Sequence, residues 1–300
     1  MEKSRIIQGL MRINEMSVEE VKSLIEFDLE HGINFFDTSN IYGNGVSESK
    51  IGDVLRLDPS LRSKMIIQSK CGIYVDESNQ SYYDLSKETI IKSCNDTLKR
   101  LNTTYLDYFL LHRPDIFLDN KEVAEAFNIL YKEGKVHHFG VSNFSKELID
   151  YLEEEVKEKI EVNQLQLGLG HTLLLSDVFN YNTAFYKNNS FAGDMFFYLK
   201  KKNINLQCWS PYQYGMFEGN ILNNDKFKET NMLLEQLASK YNVSKSSICL
   251  SFLLMLGNNV SVVIGTTNKQ HIFDSIKALK VNLTKVEWYN LYRSANNLLP

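Results

Sequence analysis

Residues 6–12 read Ile6-Ile7-Gln8-Gly9-Leu10-Met11-Arg12, a short apolar run followed at once by bulky side chains. Short apolar runs of this kind alternate with longer amphipathic stretches along the whole chain, the rhythm of a parallel sheet with crossover helices. Two architectures share that rhythm. A doubly wound dinucleotide-binding sheet needs a glycine-rich turn after its first strand, where backbone approaches a pyrophosphate. Leu10-Met11-Arg12 offers no such turn, and no GxGxxG occurs elsewhere. The first strand therefore decides for the α/β (β/α)8 barrel, the TIM barrel.

Working outward from it, strands are predicted at Ile6–Gly9, Asn34–Asp37, Met65–Lys70, Leu106–His112, Val136–Ser142, Val162–Leu167, Asn205–Ser210 and Ser261–Gly265. Helices fall between them. Ser17 and Glu20 have the spacing of a capping box, and the helix they open should stop near Gly32. Ser86 opens another, with Ile90, Ile91, Cys94, Leu98 and Leu101 at helical spacing. Further helices are expected over Asn120–Glu133, Ser145–Lys157, Ser244–Leu256 and Asn268–Leu279, and a last one over Lys285–Asn297 packs after the eighth strand. The chain contains only four prolines and no Gly/Ser-rich linker, so residues 1–300 are expected to form one barrel domain. Long loops should stand at the C-terminal face of the strands. The longest, about Gly168 to Asn203, holds the aromatic and Asn-rich piece VFNYNTAFYKNNSF and is expected to be a lid or substrate wall, or a surface excursion with a helix of its own.

Composition narrows the function. Apolar residues make up 43% of the chain, enough for a substantial core. A formal net charge of −4 and a pI near 5.9 argue against a nucleic-acid partner. No apolar run has the length of a membrane span, and the N-terminus lacks a signal-peptide core, so a cytoplasmic address and no membrane partner are expected. Cys71, Cys94, Cys208 and Cys249 are scattered, and His137 and His138 would point to opposite faces of a strand; neither set has metal-ligand spacing.

Active sites of this fold lie at the C-terminal strand ends. Asp37 ends Phe35-Phe36-Asp37, Tyr42 follows five residues later, Lys70 ends the third strand and His112 the fourth. A free tyrosine titrates near 10 and is a poor acid at neutral pH. An ammonium beside it favours the phenolate and should lower that value. Asp37 paired to Lys70 would keep the lysine charged and aimed at Tyr42, while His112 would orient a carbonyl oxygen. Hydride arriving at the carbonyl carbon makes an alkoxide, to which Tyr42 supplies the proton.

The motifs DTSNIYGNGVSE (37–48), IIQSKCG (66–72), LDYFLLHRPD (106–115), GKVHHFGVSNFS (134–145) and CWSP (208–211) resemble, in order, the strand-end signatures of the aldo-keto reductase superfamily, closest to a bacterial branch of predicted oxidoreductases. The resemblance runs from about Ile6 to the C-terminus. It implies an NAD(P)H-dependent reductase of aldehydes or ketones with the catalytic tetrad Asp37, Tyr42, Lys70 and His112. It also implies that Ser142, Asn143 and Gln164 hold the nicotinamide carboxamide, that Trp209 stacks on the ring, and that Ser210 and the loop after it approach the pyrophosphate. At the adenosine end it points to Gly265, Thr266, Thr267, Lys269, His271 and Asp274. There His271 stands where an arginine is common in the family, so NADPH rather than NADH is a family-based expectation. The partner expected is a small carbonyl compound, and the assembly a monomer or small homo-oligomer.

The aromatic loops after Lys70 and after the sixth strand, and YQYGMF (212–217), suit apolar carbonyls. Cys71 reads as a buried, inert thiol. A slow cofactor-binding barrel acting as a redox sensor or regulatory subunit is the rival reading. A barrel hydrolase would need a second strand-end acid beside Asp37.

Overall fold

The computed structural model describes residues 2–183, 194–216 and 218–300. Eight parallel strands close into a barrel: β1 (Ile6–Gly9), β2 (Phe35–Asp37), β3 (Ile66–Cys71), β4 (Leu106–Leu111), β5 (Val136–Ser142), β6 (Ile160–Gln166), β7 (Asn205–Trp209) and β8 (Val260–Ile264), in the order β1-β8-β7-β6-β5-β4-β3-β2. This is the (β/α)8 barrel that the strand rhythm implies. The chain falls into two compact units. One runs to Gln164 and includes Gly265–Lys269; the other comprises Leu165–Ile264 and Gln270–Pro300.

In the first unit, α1 (Val18–Glu30) starts at the expected capping box. Ser17 Oγ accepts the Glu20 N–H at 3.2 Å, and Glu20 Oε2 accepts the Ser17 N–H at 2.8 Å. Such a cap is worth about 1 kcal/mol. Val21, Leu24 and Ile25 form the apolar face that α1 buries. Between β2 and β3 lies α2 (Val46–Leu57), which the sequence reading did not contain. It packs closely on the end of α3 (Lys87–Arg100), because a Cβ on Gly52 would lie 1.9 Å from the Arg100 carbonyl oxygen. That approach brings the buried Glu48 of α2 to Arg100 Nε at 2.6 Å, to Thr97 Oγ1 at 3.1 Å and to Ser69 Oγ of β3 at 2.5 Å. The strand is thereby fixed one residue before Lys70. Ile90, Cys94, Leu98 and Leu101 are buried as their spacing implies, and Ile91 is only part-buried. The helices α4 (Asn120–Lys132) and α5 (Lys146–Glu153) complete this unit. Between β3 and α3 a two-stranded hairpin, Ile73–Val75 with Ser81–Tyr83, interrupts what the sequence presented as loop.

The second unit holds α6 (Leu173–Asn180), α7 (Met195–Lys202), α8 (Lys228–Tyr241), α9 (Lys245–Leu254), most of α10 (Lys269–Lys277) and α11 (Lys285–Ser294). Trp288 of α11 stacks on Phe252 of α9 at 4.5 Å between centroids and donates Nε1–H to its carbonyl at 2.8 Å. Of the long segment 168–203, α6 and α7 are seen, so it carries helices of its own. Residues 184–193, including most of its aromatic and Asn-rich piece, lie outside the described residues, as does Phe217 of the YQYGMF loop. Several helix ends fall short of expectation: α5 stops at Glu153 rather than Lys157, α9 at Leu254 rather than Leu256, α10 at Lys277 rather than Leu279 and α11 at Ser294 rather than Asn297.

Candidate active site

The register of the barrel decides which side chains meet. Asp37 pairs with Gln68 across β2 and β3. Alternate residues of a strand share a face, so Gln68 and Lys70 point together into the barrel while Ser69 turns outward to Glu48. Lys70 Nζ, fully buried, donates to Asp37 Oδ2 at 2.8 Å, to the Thr38 carbonyl at 2.9 Å and to Tyr42 Oη at 3.3 Å. All three ammonium protons are thus directed. The other carboxylate oxygen, Asp37 Oδ1, accepts from Gln68 Nε2 at 2.6 Å and from Gln164 Nε2 at 3.0 Å.

Tyr42 reaches this cluster through a tight turn. The Thr38 N–H donates to the Gln68 carbonyl at 2.9 Å and the Asn40 N–H to the Lys70 carbonyl at 3.3 Å, which lays residues 38–40 along the end of β3. Just beyond Tyr42, three consecutive residues have positive φ: Gly43 at 56°, Asn44 at 53° and Gly45 at 85°. Two glycines and an asparagine are the residue types that tolerate that backbone. His112 follows β4, its N–H donating to the Cys71 carbonyl at 2.8 Å. Its ring meets Tyr42 edge-on at 6.0 Å, and its Nδ1 lies 3.0 Å from Ser39 Oγ. The four expected tetrad residues therefore form one cluster.

The electrostatics differ from expectation at one point. Burial pushes the Tyr42 hydroxyl above its usual 10.0, outweighing the downward pull of Lys70. The expected net lowering does not occur, because the phenolate is desolvated and the lysine charge is already balanced by Asp37. Burial also works against the Lys70 ammonium, but Asp37 and then Tyr42 overcome it and hold the lysine above 10.5. His112 is driven well below 6.5, by burial first and then by Lys70 and Arg113, so its ring is neutral. Burial likewise raises the Cys71 thiol well above its usual value, as an inert cysteine requires.

The residues expected to hold a nicotinamide begin beside this cluster. Ser142 Oγ donates to the Gln164 carbonyl at 2.8 Å. Asn143, at φ 62°, donates Nδ2–H to Ser142 Oγ at 2.9 Å and to the His112 carbonyl at 3.3 Å. Within the same unit, the Gly265 carbonyl accepts from Arg12 at 2.7 Å and the Thr266 carbonyl from Gln8 at 2.9 Å. Thr267 is part-exposed. Lys269 donates to Ser23 Oγ at 2.7 Å. The other expected cofactor residues belong to the second unit. Trp209 ends β7 with a part-exposed ring, and Ser210 follows at φ 50°. His271 and Asp274 lie on α10, where Asp274 accepts from Gln270 at 3.2 Å and from Lys277 at 3.3 Å.

Gln68, Ser39 and Arg113 escaped the sequence reading. The first two stand two residues from Lys70 and Asp37, a spacing that was itself the available signal. Among the described residues no group of histidines, cysteines and acids is arranged to hold a metal, and no helix is long and apolar enough to cross a membrane.

A closed parallel barrel with a buried lysine joining an acid to a tyrosine at its strand ends defines a class, and the comparisons agree with it. The aldo/keto reductase family model matches residues 5–295, and the chain belongs to this family of oxidoreductases. It is 31% identical over 297 residues to the uncharacterized oxidoreductase YcsN of Bacillus subtilis, covering 96% of this chain and 93% of that protein. A 6-dehydroglucose reductase of Agrobacterium fabrum is 30% identical over 304 residues, with 98% and 95% covered. Among solved structures, an aldo-keto reductase from Klebsiella pneumoniae in complex with NADPH is similar with a TM-score of 0.75 at 19% identity, covering 99% of this chain and 92% of that one.

Proposed function

We propose that this chain reduces aldehydes or ketones with NADPH, and that Tyr42 delivers the proton to the nascent alkoxide. The observation that carries the reading is the enclosed Lys70 ammonium, bonded at once to Asp37 and to Tyr42. Its charge favours the phenolate left behind when Tyr42 gives up its proton, so it lowers the barrier to that transfer while Asp37 keeps the lysine charged and aimed. Tyr42 itself stays protonated through neutral pH, as an acid must before it acts. His112 is neutral; in the tautomer whose Nδ1 accepts from Ser39 Oγ, 3.0 Å away, Nε2–H is left to hold and orient the substrate carbonyl.

The chain's donors suit a dinucleotide. Asn143 and Ser142 present amide and hydroxyl groups at the end of β5, and Trp209 offers a flat, part-exposed ring for a planar partner. The first turn of α10 carries no acid and begins with Lys269, the chemistry of a helix start that accepts phosphate. When bound, the nicotinamide supplies the hydride. The Klebsiella relative's complex with NADPH supports that choice of cofactor.

The test is a titration with NADPH and with NADH followed by turnover on a panel of aldehydes at 340 nm. Trp209 emission should be quenched on binding, over a background from Trp288, only 7% exposed and packed flat on Phe252. Tight NADPH binding with turnover is expected. Tight binding with no turnover on any carbonyl would move the assignment to a cofactor sensor.

A further inference from the structure

One charged group beside the cluster has no partner among the described residues. Arg113 directly follows His112 at the mouth end of β4, and its guanidinium makes no hydrogen bond or ion pair with any of them, although the residue is part-buried. Other arginines of the first unit are engaged: Arg12 on the Gly265 carbonyl, Arg62 on Asp107 and Arg100 on Glu48. Arg113 acts electrostatically on both the Tyr42 hydroxyl and the His112 ring, so its charge lies near the place where a carbonyl would react.

The acids that could have neutralised it are committed elsewhere. Asp115 Oδ1 accepts the Phe117 N–H at 2.9 Å, and Oδ2 the Leu85 N–H at 3.2 Å. Asp84 accepts from the Ser86 N–H at 2.9 Å and the Thr89 hydroxyl at 2.8 Å. Asp37 is closed in by Lys70, Gln68 and Gln164. With His112 neutral and Asp37 cancelling Lys70, the cluster carries one positive charge that none of the described residues compensates, on Arg113. Pro114 restricts the Arg113 backbone to extended conformations, which fixes where the side chain starts. Withdrawing a charge from water without a partner is unfavourable, and a planar guanidinium fork is matched best by a carboxylate.

We propose that Arg113 is a specificity residue that selects carbonyl substrates bearing a carboxylate, gripping the carboxylate while the carbonyl lies against Tyr42 and His112. This rests on the reductase reading above. The assay compares kcat/KM for 4-carboxybenzaldehyde with that for its methyl ester, which keeps the ring and the electronic pull but lacks the charge. A second pair, succinic semialdehyde and butanal, places the carboxylate on a flexible chain. In the wild type the charged member of at least one pair should be preferred. That preference should fall on the order of 10- to 100-fold in Arg113→Met, the range for a charge-assisted hydrogen bond, and less in Arg113→Lys. Added salt should shrink it.

A preference that is absent in the wild type, or that survives intact in Arg113→Met, overturns the proposal. If no aldehyde turns over, the reductase reading fails separately, and calorimetry with 4-(hydroxymethyl)benzoate on the NADPH-loaded protein decides about Arg113. Binding that is lost in Arg113→Met upholds it; no binding, or equal binding in both proteins, overturns it.

Discussion

Two clusters in the first unit use the same four kinds of side chain. At the C-terminal strand ends stand Asp37, Tyr42, Lys70 and His112. Toward the strand starts stand Glu161, Tyr108, Lys3 and His138. In the first, the ammonium is the hub, touching both acid and tyrosine, and Lys70 is fully enclosed. In the second, the Lys3 ammonium also reaches both the Tyr108 hydroxyl and Glu161, but its side chain is 50% exposed; here the carboxylate is the hub, Glu161 Oε1 meeting His138 Nδ1 at 2.7 Å and Oε2 accepting the Tyr108 hydroxyl at 3.3 Å. Burial raises both tyrosines above 10.0. Beyond that, Lys70 pulls Tyr42 down, whereas the Glu161 charge pushes Tyr108 further up. Each tyrosine receives a hydrogen bond from an ammonium, but Tyr108 spends its own proton on the Glu161 carboxylate, whereas the Asp37 carboxylate is taken up by Lys70, Gln68 and Gln164 and leaves the Tyr42 proton free to give. Where the tyrosine sends its own proton matters more than the list of residues.

The contrast breaks most plainly in turnover. Tyr42→Phe should lower kcat for carbonyl reduction about 10²- to 10⁴-fold with NADPH binding kept, and Tyr108→Phe should leave the rate near wild type. Equal effects would erase the distinction. In stability the gap should be smaller but clear. Lys70→Met strands the buried Asp37 charge and should cost about 3–5 kcal/mol in denaturant unfolding, whereas Lys3→Met should stay within about 0.5 kcal/mol.

The finest test is the pH dependence of stability, where the clusters act on opposite limbs. Lys70 is held above 10.5 in the fold, so its contribution is full below that value and is lost as pH rises through the higher folded one. Glu161 is held below 4.5, by His138 first and against the effect of burial, so its contribution is present above 4.5 and is lost as pH falls through the lower folded value. Glu161→Gln should therefore flatten the acid limb of a melting-temperature profile and leave the alkaline one; Lys70→Met should flatten the alkaline limb and, because it strands Asp37, alter the acid one as well. Loss of the alkaline limb in Glu161→Gln would mean the two clusters are coupled.

Much of this was legible in the chain before any coordinates. The barrel could be read because short apolar runs alternate with longer amphipathic stretches along the chain. Most of the helices that were found have side-chain caps, as when Ser145 Oγ accepts the Leu148 N–H and Ser244 Oγ that of Ser247; α3 was found from its apolar spacing, since Ser86 makes no such bond. Two that were missed lack a cap. α2 starts from Gly45 at φ 85°, and α8 from Phe227, neither with a side-chain cap. The tetrad was legible by position along the strands. The direction of the Tyr42 shift was not, because it depends on how deeply the hydroxyl is desolvated, which the order of residues does not state. Arg113 went unread for a related reason: a sequence shows a charge but not whether a neighbour cancels it.

The hydrogen bond from Gln164 on β6 to Asp37 on β2 joins strands four places apart in a ring of eight, across the interior of the barrel. It makes the carboxylate that aims Lys70 a tie between opposite walls. A partly melted chain that kept its helices but let those walls separate would retain its far-ultraviolet circular dichroism and misdirect its lysine. Enzymatic rate is thus a finer gauge of this molecule's tertiary order than its helix content, and should fade first on mild acidification or warming.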